Sequence, residues 1–315
     1  MTLHWGQENA REVINEFVDE INTKLTRKNR LTKDFVMKAC LVLLNLPVAY
    51  RVSSFTKETC ARIKDRWDEI RSATRRAVDA ANAFGIDENN LTSHNALIPV
   101  ALYLYQHPKL TLRGESATEV ESASRVRVWL ISALLNKTLG GSSDAMLTRL
   151  REALMGHFKP NGDFPFGALN DAVKDSGRTS TSSADAVENV MSTTYGDDTC
   201  FLALSLLFKD RNWGTIKFSI DHLFAQDDFK GTVPTRLKEL KDDFANLTLI
   251  IADENSGKGK CPLHEWLGTR SKEFLGRHFI PEDAALWHIS RYEEFLIERR
   301  KLMKVQIQNV LGVTP

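Results

Sequence analysis

The sequence predicts a mainly α protein: an all-helical, multi-helix domain over residues 1–208, then a smaller strand-containing domain with flanking helices over residues 209–315. Three observations predict it. Up to about residue 208 the apolar residues recur at intervals of three and four, the spacing of one helix face. Almost nothing in that stretch alternates with the period of two that a half-buried strand requires. After Asp210 two short β-branched and aromatic runs appear, one through Ile216, Phe218 and Ile220 and one from Leu247 to Ile251. The chain has 315 residues, 42% hydrophobic and 26% charged, which is enough apolar material for one large or two ordinary domains.

Residues 8–25 place Val13, Ile14, Phe17, Val18, Ile21 and Leu25 on one helical face. Thr32 is placed to cap a second helix that turns Phe35, Val36, Cys40, Leu43 and Leu44 inward and ends at Pro47. The spacing of Cys60, Ile63, Trp67, Ile70, Ala77, Ala81 and Phe84 predicts one long helix over 56–84, with Gly85 as its stop. Arg62, Lys64, Arg66, Arg71, Arg75 and Arg76 give that helix a basic face. Glu58, Asp65, Asp68 and Glu69 dilute it, so it reads as a solvated face before it reads as a phosphate-contacting one. Residues 95–106 are nearly all apolar, a buried helix with Pro99 in its opening turn. Amphipathic helices follow over 116–139 and 143–157, parted by Gly140-Gly141. After a Ser/Thr-rich loop at 175–184 comes a helix pair over 184–194 and 198–208. Two further helices are expected near 262–276 and 290–311. The last has a Ser290-x-x-Glu293 capping box and an inward stripe of Phe295, Leu296, Leu302, Met303, Ile307 and Val310. Its outer face carries Arg299, Arg300, Lys301 and Lys304, and Gly312 is its stop.

Several function classes lose support at once. Four scattered cysteines without a C-x-x-C pair argue against a zinc ribbon or a disulfide framework and fit a reducing compartment. The first residues have no apolar centre, and the most apolar run, Ala39–Tyr50, is short and contains Pro47. A soluble, cytoplasmic protein without a membrane partner is therefore expected. The SGKGK run at 256–260 lacks the spacing of a phosphate-binding loop. The net charge of +1 decides nothing, because a local basic surface can hide in it.

The chemistry concentrates between Ile216 and Pro262. Asp221 and His222 end the first strand-like run, Asn246 opens the second, and Asn255 and Lys258 follow it. Hydrolysing a phosphodiester requires a base for the attacking water and a positive charge for the phosphate and the leaving oxygen. A neutral imidazole suits the first task, so His222 is the candidate general base. Mg²⁺, or Mn²⁺, suits the second and needs only one or two protein oxygens, for which Asp221 and Asn255 are the candidates. Alternation along a strand points Asp221 and His222 to opposite faces, so the strand must end or bulge there for both to serve one site. Asn246 is expected to orient the His222 ring, and Lys258 to hold the phosphate as a point charge. His264, His278 and His288 lack metal spacing and default to structural roles, with His264 a substitute ligand should Asn255 not serve.

This pattern resembles the HNH, or ββα-metal (His-Me finger), nucleases, and is similar in particular to the HNH domain of the RNA-guided CRISPR effector nuclease. Asp221 to Gln226 carries the Asp-His-hydrophobic-Phe pattern, and Asn246, Leu249, Asn255, Gly257 and Lys258 carry the second half. The last hundred residues also resemble the C-terminal HNH domain of the GmrSD-type restriction endonucleases. They share IDHLF, NLTLI, a helix containing Trp266, the HFIPED run and the EEFL-x-ERR helix. Residues 31–110 resemble the helical middle of the same proteins. The resemblance implies a C-terminal ββα-metal domain in which His222 is the base, Asp221 and Asn255 bind metal and Asn246 is the supporting residue. It further implies endonuclease cleavage or nicking of DNA in anti-phage or modified-DNA restriction, leaving a 5′-phosphate and a 3′-hydroxyl. Two departures stand out. Ala225 replaces the family's usual proline, and the N-terminal domain with its Asp-Gly-Gln-Gln-Arg signature has no counterpart here. The expectation is a fragment of a longer protein, or a split-gene product whose targeting or regulation a separate polypeptide carrying that domain supplies. The alternatives from other classes are a non-cleaving nucleic-acid-binding or assembly subunit with a degenerate site, and a ribonuclease toxin.

Overall fold

A computed structural model describes residues 4–5, 8–113, 116–141, 143–208, 212–230, 233–251, 257–259 and 261–314. Among the described residues the protein is mainly helical with two small two-stranded sheets, and it forms two compact units, Met1–Thr181 and Ser182–Pro315. The division falls ahead of the 208/209 boundary expected from the sequence. The reason is partner choice. Helix Ala184–Met191 buries Ala186, Val187, Val190 and Met191 and packs on the C-terminal helix, and helix Cys200–Ser205 packs on the second strand of the C-terminal sheet. A helical period identifies the apolar face but not the element that covers it.

In the first unit, a minimal antiparallel pair, β1 (His4–Trp5) and β2 (Glu8–Asn9), leads into α1 (Ala10–Thr23), capped by the Asn9 side chain. Thr32 caps α2 (Lys33–Leu43) by accepting from the Phe35 N–H, and Ser116 caps α6 (Ala117–Leu135) by accepting from Glu119. The helix expected over 56–84 is two helices. Thr56 caps α3 (Lys57–Asp65), Arg66 leaves helical geometry at φ −114° and ψ 14°, and α4 (Trp67–Ala83) starts anew. The break sets Trp67 edge-on to Phe17, ring centroids 5.6 Å apart. The apolar spacing runs through the break, so it was invisible to periodicity. α4 packs on α5 (Leu97–Gln106), whose residues Leu97–Leu104 are all buried, with α2 and α7 (Asp144–Gly156) alongside. α8 (Phe166–Lys174), which no sequence signal singled out, covers α7. The basic face of α3 and α4 is largely paired. Arg71 and Arg75 both meet Glu20, Arg66 meets Glu69 at 2.6 Å, and Arg76 donates to the carbonyls of Leu104, His107 and Leu110.

The second unit is built around its terminal helix, Tyr292–Leu311. This helix buries Tyr292, Phe295, Leu296, Arg299, Met303, Ile307 and Leu311. Several expectations are corrected here. Leu302, placed inward by the sequence, is 45% exposed, and Arg299, placed outward, is fully buried. The Ser290 capping box does not form either: Ser290 lies in a 3-10 turn, Arg291 precedes the helix without a side-chain cap, and Glu293 pairs with Arg236. Gly312 does close the helix, at φ 68° and ψ 34°, left-handed values that favour glycine. The region expected as one helix over 262–276 is two short ones, Leu263–Gly268 and Lys272–Arg277, the second capped by Ser271. Among the described residues no helix is long and apolar enough to cross a membrane.

Candidate active site

The two β-branched runs pair as β3 (Phe218–His222) and β4 (Leu247–Ile251), antiparallel, with Asp221 opposite Thr248 and His222 opposite Leu247. β3 ends at His222, and Asp221 and His222 are both inside its paired register, with no bulge between them. Past that point the backbone is captured by one residue. The Leu223 N–H donates to the Asn246 carbonyl at 2.7 Å, and the Phe224 N–H donates to the Asn246 Oδ1 at 2.9 Å. The Asn246 Nδ2 donates to the carbonyls of Phe224 (3.2 Å) and Lys241 (2.7 Å). A fully buried amide thus satisfies backbone groups that left the ladder, and this is the local reason the chain turns after His222.

The expectation that Asn246 orients the His222 ring is therefore corrected, because its amide is occupied by backbone. The imidazole meets Asp242 instead, with His222 Nε2 2.9 Å from Asp242 Oδ1. The ring packs against the Tyr195 ring, centroids 4.5 Å apart and planes tilted by 53°. His222 is buried and Tyr195 is half-exposed. The Tyr195 N–H donates to the Asp242 carbonyl at 3.0 Å, and an isolated bridge joins Thr194 to Asp243, so the 194–195 segment and the 242–243 turn form one support.

Asp221 has a different neighbour. Lys258, whose side chain is 3% exposed, donates to Asp221 Oδ2 at 2.8 Å and to the His222 backbone carbonyl. In this structure the ammonium neutralises the carboxylate rather than standing free for a phosphate, as the sequence reading had it. The same contacts test whether a metal suits the site. A carboxylate oxygen and a carbonyl oxygen converge on one cation, and two hard oxygens fit Mg²⁺ or Mn²⁺, which keep most of their waters. A divalent ion and the ammonium would compete for Asp221. Asn255, the other proposed ligand, lies outside the described residues. Among the described residues no group of three or more His, Cys, Asp or Glu side chains could hold a metal, and His264 stacks on His288 with centroids 4.3 Å apart. Burial holds the nearby Asp228 carboxyl above its ordinary range, opposed in part by a hydrogen bond from the Ala225 backbone and by the Lys258 charge.

The supports come from residues to which the sequence reading gave other roles or none. Arg299 donates to the carbonyls of Ala245 (2.6 Å), Leu247 (2.8 Å) and His278 (3.0 Å), bracketing Asn246 from the terminal helix. Burial lowers its pKa to about 9, against the pull of Asp243 and Tyr292. Arg300 pairs with Asp243, which also caps the turn before β4 by accepting from Ala245 N–H at 2.8 Å. The Asp242-Asp243 pair just before Asn246 was the only local hint of Asp242. Tyr195 and Arg299 reach the site through tertiary packing and left no local signal. Comparison with protein-family models and with curated proteins finds no match.

Proposed function

We propose that this protein is a metal-dependent endonuclease of the HNH type that cleaves or nicks DNA, with restriction of phage or modified DNA as the setting its resemblance suggests. The observation that carries the reading is the end of β3. There a buried imidazole with a carboxylate partner and a carboxylate facing a cation lie on adjacent residues, held by a buried asparagine at the start of β4. His222 takes the proton of the attacking water. Asp221, with Asn255, would hold Mg²⁺ or Mn²⁺, which would supply Lewis-acid charge to the phosphate and the leaving oxygen. Asn246 contributes by fixing the backbone after the base rather than by touching the reacting atoms. Lys258 keeps Asp221 neutralised in the free chain, and its ammonium is a cation that a phosphate oxygen would meet there.

The second reading, a non-cleaving nucleic-acid-binding or assembly subunit, is favoured by one observation, the Lys258 ammonium on the proposed metal ligand. The test is incubation of the purified chain with supercoiled plasmid and Mg²⁺ or Mn²⁺, beside His222→Ala. Metal-dependent nicking that disappears in the variant supports the nuclease reading. DNA retention without cleavage under any divalent ion, unchanged by His222→Ala, favours the second reading. Degradation of RNA with duplex DNA left intact would point to a ribonuclease.

A further inference from the structure

Resting on the reading of His222 as base, we propose that Asp242 is the positioning residue that selects the His222 tautomer and thereby makes Nδ1 the proton-accepting atom. The geometry leads there directly. Asp242 Oδ1 is 2.9 Å from His222 Nε2. A carboxylate only accepts, so the shared hydrogen belongs to Nε2. A neutral imidazole has one N–H, and the lone pair is then on Nδ1. The ring cannot easily turn to exchange its nitrogens. It is buried, its Nε2 is held by Asp242, and the Tyr195 ring packs on it at 4.5 Å between centroids, tilted by 53°.

Asp242 is itself fixed at three points. Its carbonyl accepts from the Tyr195 N–H, its Oδ1 is on His222, and its Oδ2 lies 3.8 Å from the Lys241 ammonium. The adjacent Asp243 is held by Arg300 and by the bridge to Thr194, which keeps the turn from rotating as a whole. In the reaction the water's proton moves to the Nδ1 lone pair while the water oxygen forms its bond to phosphorus, and the bond from phosphorus to the 3′-oxygen breaks, its electron pair leaving with that oxygen, which takes a proton from solvent. The imidazolium so formed keeps its Nε2 hydrogen on Asp242, whose negative charge stabilises it without accepting a proton. Asp242 thus does for the ring what the sequence pattern had led one to expect of Asn246.

The test is the tautomer itself. Long-range ¹⁵N–¹H spectra of histidine-labelled protein, recorded at a pH where imidazoles are neutral, distinguish Nε2–H from Nδ1–H. The His222 signals are assigned by their loss in His222→Gln. Wild type is expected to show Nε2–H. In Asp242→Asn the new amide can donate to Nε2, and the signals should shift to Nδ1–H. In Asp242→Glu, which keeps an acceptor, Nε2–H should persist. Where nicking is measurable, Asp242→Asn should lower kcat by about 10–100-fold with little change in KM, as loss of a residue that orients a catalytic group typically does, and Asp242→Glu should recover part of it. A wild-type Nδ1–H tautomer, or an Nε2–H tautomer unchanged in Asp242→Asn, overturns the assignment. If Asp242→Asn fails to fold, the wild-type spectrum alone decides. If the chain nicks nothing, the nuclease reading fails while the tautomer result still stands or falls on its own.

Discussion

Replacing Asn246 by alanine isolates the element on which the geometry of the candidate site rests. The side chain is fully buried and makes three hydrogen bonds, to the Phe224 N–H, the Phe224 carbonyl and the Lys241 carbonyl. Alanine leaves those three backbone groups without that partner. Phe224 is almost fully buried, so water cannot readily replace the amide there. A buried group left unsatisfied costs about 1–3 kcal/mol. The two Phe224 groups dominate, and partial relaxation of the loop brings the expected loss to about 2–4 kcal/mol. For a unit of this size that corresponds to a fall of roughly 6–15 °C in the melting midpoint. Urea unfolding followed by tryptophan fluorescence measures the loss, and hydrogen exchange at the Phe224 amide locates it. Both should change together, with exchange accelerated at Phe224 and the core of the first unit unaffected. A destabilisation under about 0.5 kcal/mol with the Phe224 amide still protected would refute the argument that this side chain holds the turn after His222.

Other substitutions probe other parts of the same architecture. Arg299→Met removes the donors from the carbonyls of Ala245, Leu247 and His278 and should cost about 3–5 kcal/mol by denaturant titration. A loss under about 1 kcal/mol would show that relief of the buried charge compensates. Lys258→Met leaves the Asp221 carboxylate, with 19% side-chain exposure, facing no ammonium. It should destabilise the chelator-treated protein by about 2–3 kcal/mol, and Mn²⁺ should restore the melting midpoint more than it does for wild type. An equal Mn²⁺ response in both proteins would remove the competition between ammonium and metal. Burial pushes the thiols of Cys40 and Cys200 from their ordinary 9.0 up to about 12. At pH 8 they should resist a thiol-specific disulfide reagent until the protein unfolds, while the half-buried Cys60 and Cys261 react first. The sign for stability follows. Below about pH 9 both states keep the protons, and from there to about 12 only the unfolded chain loses them, so stability falls as pH rises. A pH-independent midpoint from 8 to 11 would contradict this.

The sequence alone was enough for features determined within a few residues. Thr32 caps its helix because its side-chain oxygen reaches the N–H three residues ahead, and Gly312 ends the last helix because only its backbone enters the left-handed region cheaply. Alternation around Phe218 and Ile220 and the run from Leu247 were likewise enough to mark the two strands. Tertiary structure decided everything that depends on which distant group fills a given space. It broke the 56–84 helix at Arg66 and assigned Ala184–Met191 to the second unit. It also drew Arg299 inward, where it donates to the carbonyls of Ala245, Leu247 and His278. It gave the His222 ring to Asp242 and Tyr195 and the Asp221 carboxylate to Lys258. Local rules act through neighbouring backbone atoms, whose positions follow from the sequence spacing. The partner of a buried polar group is chosen by packing across the whole unit, and no spacing along the chain encodes it.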